Sequence, residues 1–238
     1  EDWRRQRKQV ALALNSAHLH QFTPRLLATT ETLHKRWLGA AERGTSVDLC
    51  RDVMRYTVDV TTQLAFGVNV NTLETDGPVI QQQLDKVFPM LARRITAPFP
   101  YWRYFRLQKD RELDEALLNI RQIVNGFVAD CRQRMADQRD LFEAPTNFLE
   151  TVIAVQATAD GADFTDEDIY ANVLTLLLAG EDTTANTIAW AGKYFIEFPE
   201  HFQRARDEVD TVFGSASSLT DFKQLSKLPF IEAFANET

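Results

Sequence analysis

Between Ala179 and Thr184 the chain reads Ala-Gly-Glu-Asp-Thr-Thr, two acids and two alcohols set directly behind an apolar run from Ile169 to Ala179. A carboxyl beside a hydroxyl can order a water and pass on a proton. The same pair is expensive inside a core, because an unpaired buried carboxylate costs on the order of several kcal/mol or shifts its pKa until it is neutral. Gly180 adds to the cost, since a helical glycine is about 1 kcal/mol worse than alanine. Thr183 lies four residues after Ala179, so its hydroxyl is predicted to bond the Ala179 carbonyl. That bond is expected to loosen the ladder beside Gly180 into a kinked polar notch with room for a water or a small ligand. Asp182 is turned from Thr183 by about 100° on the helical wheel, so the acid is expected to reach toward solvent while the hydroxyl faces the opposite cavity. The plainer reading has the helix leaving the core here with Glu181 and Asp182 simply solvated. The charge-free continuation through Ile188, Ala189 and Trp190 weighs against it.

The elements that must carry this segment are helices, because apolar residues recur with a period near 3.6 and the alternation of strands is almost absent. Helices are expected at about 1–20, 24–40, 47–67, 78–96, 110–138, 146–157, 166–198, 199–213 and from 229 onward, with a short strand expected at Ser46 to Leu49. Thr165-Asp166-Glu167-Asp168 is close to a capping box and starts the helix of interest. No proline follows until Pro199, so that helix is expected to run for about 33 residues, roughly 50 Å. From Ile169 to Ala179 apolar residues occupy nearly every angle, which predicts a core helix buried on all sides.

Length and composition agree with a packed globular chain. It has 238 residues, 45% hydrophobic and 25% charged, enough to bury a sizeable core in a single domain,. With 26 Lys+Arg against 34 Asp+Glu the net charge is −8, which gives no support for binding nucleic acid,. Cys50 and Cys131 are far apart without metal-ligand spacing, so neither a disulfide framework nor a metal site is expected, and both read as ordinary helix residues,. No run of apolar residues reaches the length of a membrane span. The chain opens at Glu1-Asp2 without a leader and stops shortly after Pro229, so one domain over 1–238, cut at both ends, is expected. The acidic charge and the lack of a visible anchor lean toward a cytoplasmic protein.

The segment LLLAGEDTTANTIAW resembles the oxygen-binding helix of the cytochrome P-450 family of haem-thiolate monooxygenases, whose pattern is [AG]-G-x-[DE]-T-[TS]. The resemblance implies that Ala179 and Gly180 face the haem where dioxygen binds, and that Asp182 and Thr183 are the acid and alcohol of a proton relay. Trp3-Arg4-Arg5-Gln6-Arg7 is similar to the family's W-x-x-x-R helix, which implies hydrogen bonds from Trp3 and Arg7 to a haem propionate. Their i, i+4 spacing puts both on one face, and both are donors only, as an anion requires. Leu228-Pro229 onward looks like the run-in to the family's E-x-x-R helix, with Glu237 as its glutamate. The aromatics Phe99, Tyr101, Trp102, Tyr104 and Phe105 fall where the family roofs its substrate channel, either as an apolar lid or as anchors of a long loop.

The fold so implied is all-α, the helical core portion of the cytochrome P-450 fold around one long central helix. The haem-ligand region is lacking: neither Cys50 nor Cys131 has the glycines of F-x-x-G-x-x-x-C-x-G. The family further implies dioxygen, a hydrophobic small-molecule substrate, and electrons from a ferredoxin or flavin reductase partner. Without its cysteine ligand the segment alone is expected to be inactive, because the thiolate drives O–O cleavage. Two rivals stand beside this reading. A di-iron bundle needs two E-x-x-H motifs, and Glu31-Thr32-Leu33-His34 supplies one,. A helical binding or scaffold module without haem would make Ala179 to Thr184 a coincidence or a relic.

Overall fold

The computed structural model describes residues 4, 7, 10, 11, 13, 14, 16–75, 79–84, 86–158, 164–214 and 222–238. The regular elements among them are all helical. They are α1 (Ser16–Glu42), α2 (Leu49–Phe66), α3 (Val79–Leu84), α4 (Val87–Thr96), α5 (Gln108–Asp137), α6 (Phe148–Gln156), α7 (Asp166–Glu197), α8 (Pro199–Phe213) and α9 (Pro229–Glu237). Single-turn 3₁₀ segments and one longer one, Tyr101–Arg103, Arg139–Phe142 and Phe222–Lys227, punctuate the connections. Helices α2 and α5 to α8 begin and end within two residues of expectation.

Elsewhere the boundaries differ. The break expected between 20 and 24 is absent, and α1 passes straight through Pro24. A proline inside a helix loses one bond and strains the turn before it. Phe22 and Thr23 are buried there and hold that turn on the core. No strand forms at 46–49 or elsewhere among the described residues. Asp48 instead caps α2, its carboxylate accepting the Arg51 N–H at 3.1 Å, which commits the chain to a helix from Leu49,. The single helix expected over 78–96 is two, with α4 starting afresh after Lys86. Pro89 has no N–H to give, so it is accommodated in the first turn of a new helix rather than in the middle of a long one.

One hydrophobic core joins α5, α6 and α7. Residues Leu113, Ala116, Ile120, Val124, Val128, Cys131 and Met135, spaced by three or four, form the buried stripe of α5. Most of that stripe packs in one cluster with Phe148, Leu149, Val152 and Ile153 of α6 and Ile169, Val173 and Leu177 of α7. Each fully buried aliphatic or aromatic side chain contributes about 1.5–3 kcal/mol relative to exposure. The most extensive helix pairing, however, is α2 along α7. Among the described residues no helix is long and apolar enough to cross a membrane.

Helix α7 is not buried on all sides. Ile169, Tyr170, Val173, Leu177, Glu181 and Ala185 are buried, whereas Ala171, Thr175, Ala179 and Thr183 form an exposed stripe at i, i+4 spacing. An apolar wheel states which faces tolerate burial, not which ones receive a neighbour. The helix begins where expected. Thr165 Oγ1 accepts the Asp168 N–H at 3.2 Å, and the Asp168 carboxylate accepts the Thr165 N–H at 2.9 Å. Asp166 and Glu167, beside them, clamp the first turn to α5. Arg121 makes two 2.7 Å bonds to Glu167, and Arg132 grips Asp166, to which Gln156 adds a third donor at 3.1 Å. Three acids at the positive end of the helix dipole are therefore all engaged.

The Arg132 guanidinium and the Gln156 amide hold the Asp166 carboxyl down at about 2, below its ordinary 3.8. A carboxyl depressed in the folded state adds stability above its unfolded pKa and loses it as pH falls through the folded value. Between about pH 4 and pH 2 the wild-type melting temperature therefore falls further than that of Asp166→Asn, which starts lower at neutral pH and has no such group to titrate. Parallel Tm–pH curves from circular dichroism would remove the clamp from the account.

Candidate active site

The turn from Ala179 to Thr187 is built on side chains that bond back to their own helix. Thr183 Oγ1 donates to the Ala179 carbonyl at 2.7 Å, as the four-residue spacing predicts. Asn186 Nδ2 donates to the Asp182 carbonyl at 2.8 Å and Thr187 Oγ1 to the Thr183 carbonyl at 2.9 Å. Sequence reasoning passed over Asn186 and Thr187, although the same i, i+4 spacing identifies them. The helix nevertheless runs unbroken from Asp166 to Glu197, so the kinked notch expected at Gly180 is not an interruption of α7. A back-bond adds a second donor to a carbonyl that keeps its place in the ladder.

Gly180 has its own reason to lack a side chain. A Cβ built there would lie 2.8 Å from Thr61 Oγ1 and 2.9 Å from Thr61 Cγ2 of α2. Gly192 repeats the arrangement, its missing Cβ falling 2.9 Å from Leu49 Cδ2. Along α2 the partners run from Leu49 to Thr61, and along α7 from Gly192 to Gly180, so the two helices lie antiparallel and close. The glycine penalty of about 1 kcal/mol is thus offset by packing on the α2 side. Ala179, one residue earlier, is exposed together with Thr183 on the open stripe.

The two acids occupy a different side. Glu181 is buried, 4% exposed, and Asp182 is half-buried. Both line a cavity of about 400 Å³ whose other walls are Leu84 of α3 and Phe88, Pro89 and Ala92 of α4. Asp182 therefore does not reach freely toward solvent, as the wheel suggested, because α3 and α4 cover that side of α7. It is the hydroxyl of Thr183 that lies exposed. Burial raises the Asp182 carboxyl above its ordinary 3.8, which makes it a better proton store than a solvated aspartate. A larger hollow of about 470 Å³ lies elsewhere, among Thr32, Lys35, Arg36, Arg43 and Glu74. Its charged walls suit solvent rather than an apolar molecule.

The remaining candidates are dispersed. Trp3 lies outside the described residues, and Arg7 is helical and exposed. Glu237, exposed in the last turn of α9, borders an aromatic hollow of about 310 Å³ with Tyr194, Phe198, Phe230 and Phe234. Of the loop aromatics, Tyr101 is buried, with Trp102 edge-on at 5.4 Å, whereas Phe99, Tyr104 and Phe105 are exposed. The loop thus has both an anchor and an apolar outer surface. Cys50 is exposed on α2 and Cys131 is buried in α5. Burial pushes the Cys131 thiol up to about 11, so it carries no thiolate at neutral pH,. His34 is exposed beside Glu31, and among the described residues no group of three or more His, Cys, Asp or Glu is assembled as a metal site.

The family model described as Cytochrome P450 matches residues 1–238. Among curated proteins the chain is 24% identical to carotene epsilon-monooxygenase, chloroplastic, of Arabidopsis thaliana, over 99% of this chain and 44% of that protein. It is 26% identical to cytochrome P-450 4X1 of Rattus norvegicus, over 82% of this chain and 39% of that one. Among solved structures, a crystal structure of a cytochrome P-450 named CYP102L1 superimposes with a TM-score of 0.80 at 22% identity, covering all of this chain and 52% of that chain. The chain therefore spans about half the length, or less, of the relatives it matches.

The raised Asp182 carboxyl has a stability consequence. A group whose folded pKa lies above its unfolded one stabilises the fold while protonated, and that contribution is lost as pH rises through the folded value. Asp182→Asn is neutral throughout, so it melts above the wild type at pH 7 and alongside it at pH 3. Equal melting temperatures at both pH values would mean that Asp182 is not desolvated.

Proposed function

The chain belongs to the cytochrome P-450 family, and on that premise we propose that it forms the oxygen-activating portion of a haem-dependent monooxygenase that oxidises a hydrophobic small molecule. The observation that carries this reading is the Thr183 hydroxyl held at 2.7 Å on the Ala179 carbonyl, on an open helix face, with the desolvated carboxyl of Asp182 at the preceding position.

The donor set suits the family's cofactor. Ala171, Thr175, Ala179 and Thr183 are small, uncharged and exposed in one row, a surface on which a flat apolar macrocycle can lie without meeting a charge or a long side chain. Trp3 and Arg7 are the proposed propionate donors, by their similarity to the W-x-x-x-R helix. The axial thiolate is proposed to come from chain beyond Thr238, since neither cysteine of this chain lies in the required motif. Haem, when bound, supplies the reductive activation of dioxygen. Overall, one oxygen atom enters a substrate C–H bond and the other leaves as water, with two electrons from a redox partner and two protons from solvent.

The chain's own part is the management of those protons. Thr183 donates a hydrogen bond to the Ala179 carbonyl and so turns its oxygen lone pairs outward, ready to accept from a water,. Asp182, held in a partly dry cavity, gains a proton more readily than an exposed aspartate and returns it through water to the open face. The small residues along that face leave room for dioxygen and one or two waters. The exposed rings Phe99, Tyr104 and Phe105 form an apolar approach for a hydrophobic substrate, and a ferredoxin or flavin reductase is the proposed electron source.

In the longer enzyme that we propose carries this chain, Thr183→Ala leaves oxygen consumption but misdirects protons. Peroxide formed per NAD(P)H consumed rises several-fold and product falls in proportion. Unchanged coupling would count against the relay. Loss of the haem-thiolate Soret shift under carbon monoxide in the unsubstituted enzyme would favour a helical scaffold without haem.

A further inference from the structure

Helix α2 carries no residue of the proton relay, yet one of its side chains touches the relay turn from behind. Thr61 is 5% exposed, and its Oγ1 and Cγ2 fill the space that a Gly180 side chain would need. Gly180 stands between Ala179, whose carbonyl receives Thr183, and the buried Glu181. Any shift of the 179–183 turn toward α2 is therefore blocked by Thr61, and any enlargement of Thr61 is transmitted to that turn.

Helix α2 is stiff enough to act as a backstop. Asp52 accepts Arg36 Nε and Trp37 Nε1, each at 3.0 Å. Asp59 accepts the backbone N–H groups of Thr72 at 2.7 Å and Leu73 at 3.2 Å, and Gln63 Nε2 donates to Thr29 Oγ1 at 2.8 Å. Asp52, Asp59 and Gln63 are buried polar side chains with partners outside α2, on α1 and the 72–73 segment. They fix the helix on the side away from α7, so that Thr61 is a fixed stop and not a compliant neighbour.

We propose that Thr61 is a positioning residue: through Gly180 it sets the depth at which the Ala179 carbonyl and the Thr183 hydroxyl are presented on the open face of α7. A displacement of about 1 Å in such a group can cost on the order of 100-fold in rate. The inference rests on the monooxygenase reading for its chemical consequence but not for its structural one.

Both consequences are measurable in the longer enzyme. Thr61→Val keeps the shape, so coupling stays at the wild-type level. Thr61→Ile pushes on Gly180 and raises peroxide per NAD(P)H at least threefold, and Thr61→Ser, which removes the supporting methyl, raises it about twofold. Leu49→Ala, at the Gly192 contact, leaves coupling unchanged. Independently of chemistry, amide hydrogen exchange in peptides covering 179–187 speeds at least tenfold in Thr61→Ile, while peptides covering 169–177 keep their rate. Wild-type exchange and coupling in Thr61→Ile and Thr61→Ser would overturn the inference, even if Thr183→Ala uncouples turnover. If Thr183→Ala leaves coupling intact, the proton-relay reading fails, and the exchange rates alone decide whether Thr61 positions the turn.

Discussion

Helix α7 lies against α2 as closely as it does because Gly180 and Gly192 bring no side chain to the contact with Thr61 and Leu49. This approach determines the rest of the site. With α2 filling one side of α7 and α3 and α4 covering Glu181 and Asp182, the stripe Ala171, Thr175, Ala179 and Thr183 is left as the open face. One helix thereby serves two environments, a desolvated one for the carboxyl and an accessible one for the hydroxyl, at adjacent positions in the chain. A glycine that weakens an isolated helix by about 1 kcal/mol is here the condition for tight packing between two of them.

The ends of α7 are secured by different physics. At its N-terminus Asp168 closes the capping box with Thr165, and Asp166 and Glu167 bind α5 through Arg132 and Arg121, with the helix dipole favouring all three acids. At its C-terminus the anchoring is aromatic: Phe195 stacks on Phe234 of α9 with ring centroids 4.4 Å apart. Helix α9 is itself held by Glu208 of α8, whose carboxylate accepts the N–H groups of Phe230 and Ile231 at 2.9 and 3.0 Å. That carboxylate satisfies two of the orphan donors that every helix start presents. A long helix fixed at both ends and along one side can carry strained or costly residues in its middle.

Several buried acids in this chain are structural, which sets Asp182 apart. Asp110 would be raised by its burial, but the Arg94 guanidinium and the Leu107 N–H outweigh that and hold it below its ordinary value. Glu150 is buried and accepts Arg134 at 2.8 Å and the Thr146 N–H at 2.7 Å. Each is matched by an arginine and a backbone N–H,. Desolvation is what moves Asp182, and it moves it upward. A carboxyl raised by desolvation takes up a proton more readily than one held down by an arginine,.

Much of this was already present in the order of residues. The Thr165 to Asp168 capping pattern and Pro199 bound α7 because caps and proline act on neighbours in the chain, and the Thr183 hydroxyl finds the Ala179 carbonyl because four residues make one helical turn. The family pattern from Ala179 to Thr184 is legible for the same reason: it is local. Passage of α1 through Pro24, the open stripe of α7, the covering of Asp182 by α3 and α4, and the Thr61 contact at Gly180 were not legible. Each depends on which distant segment packs against a given face, and a helical wheel has no term for the neighbour. The sequence determined which residues could share a turn; only the tertiary structure decided which of them are dry, which are exposed, and what stands behind them.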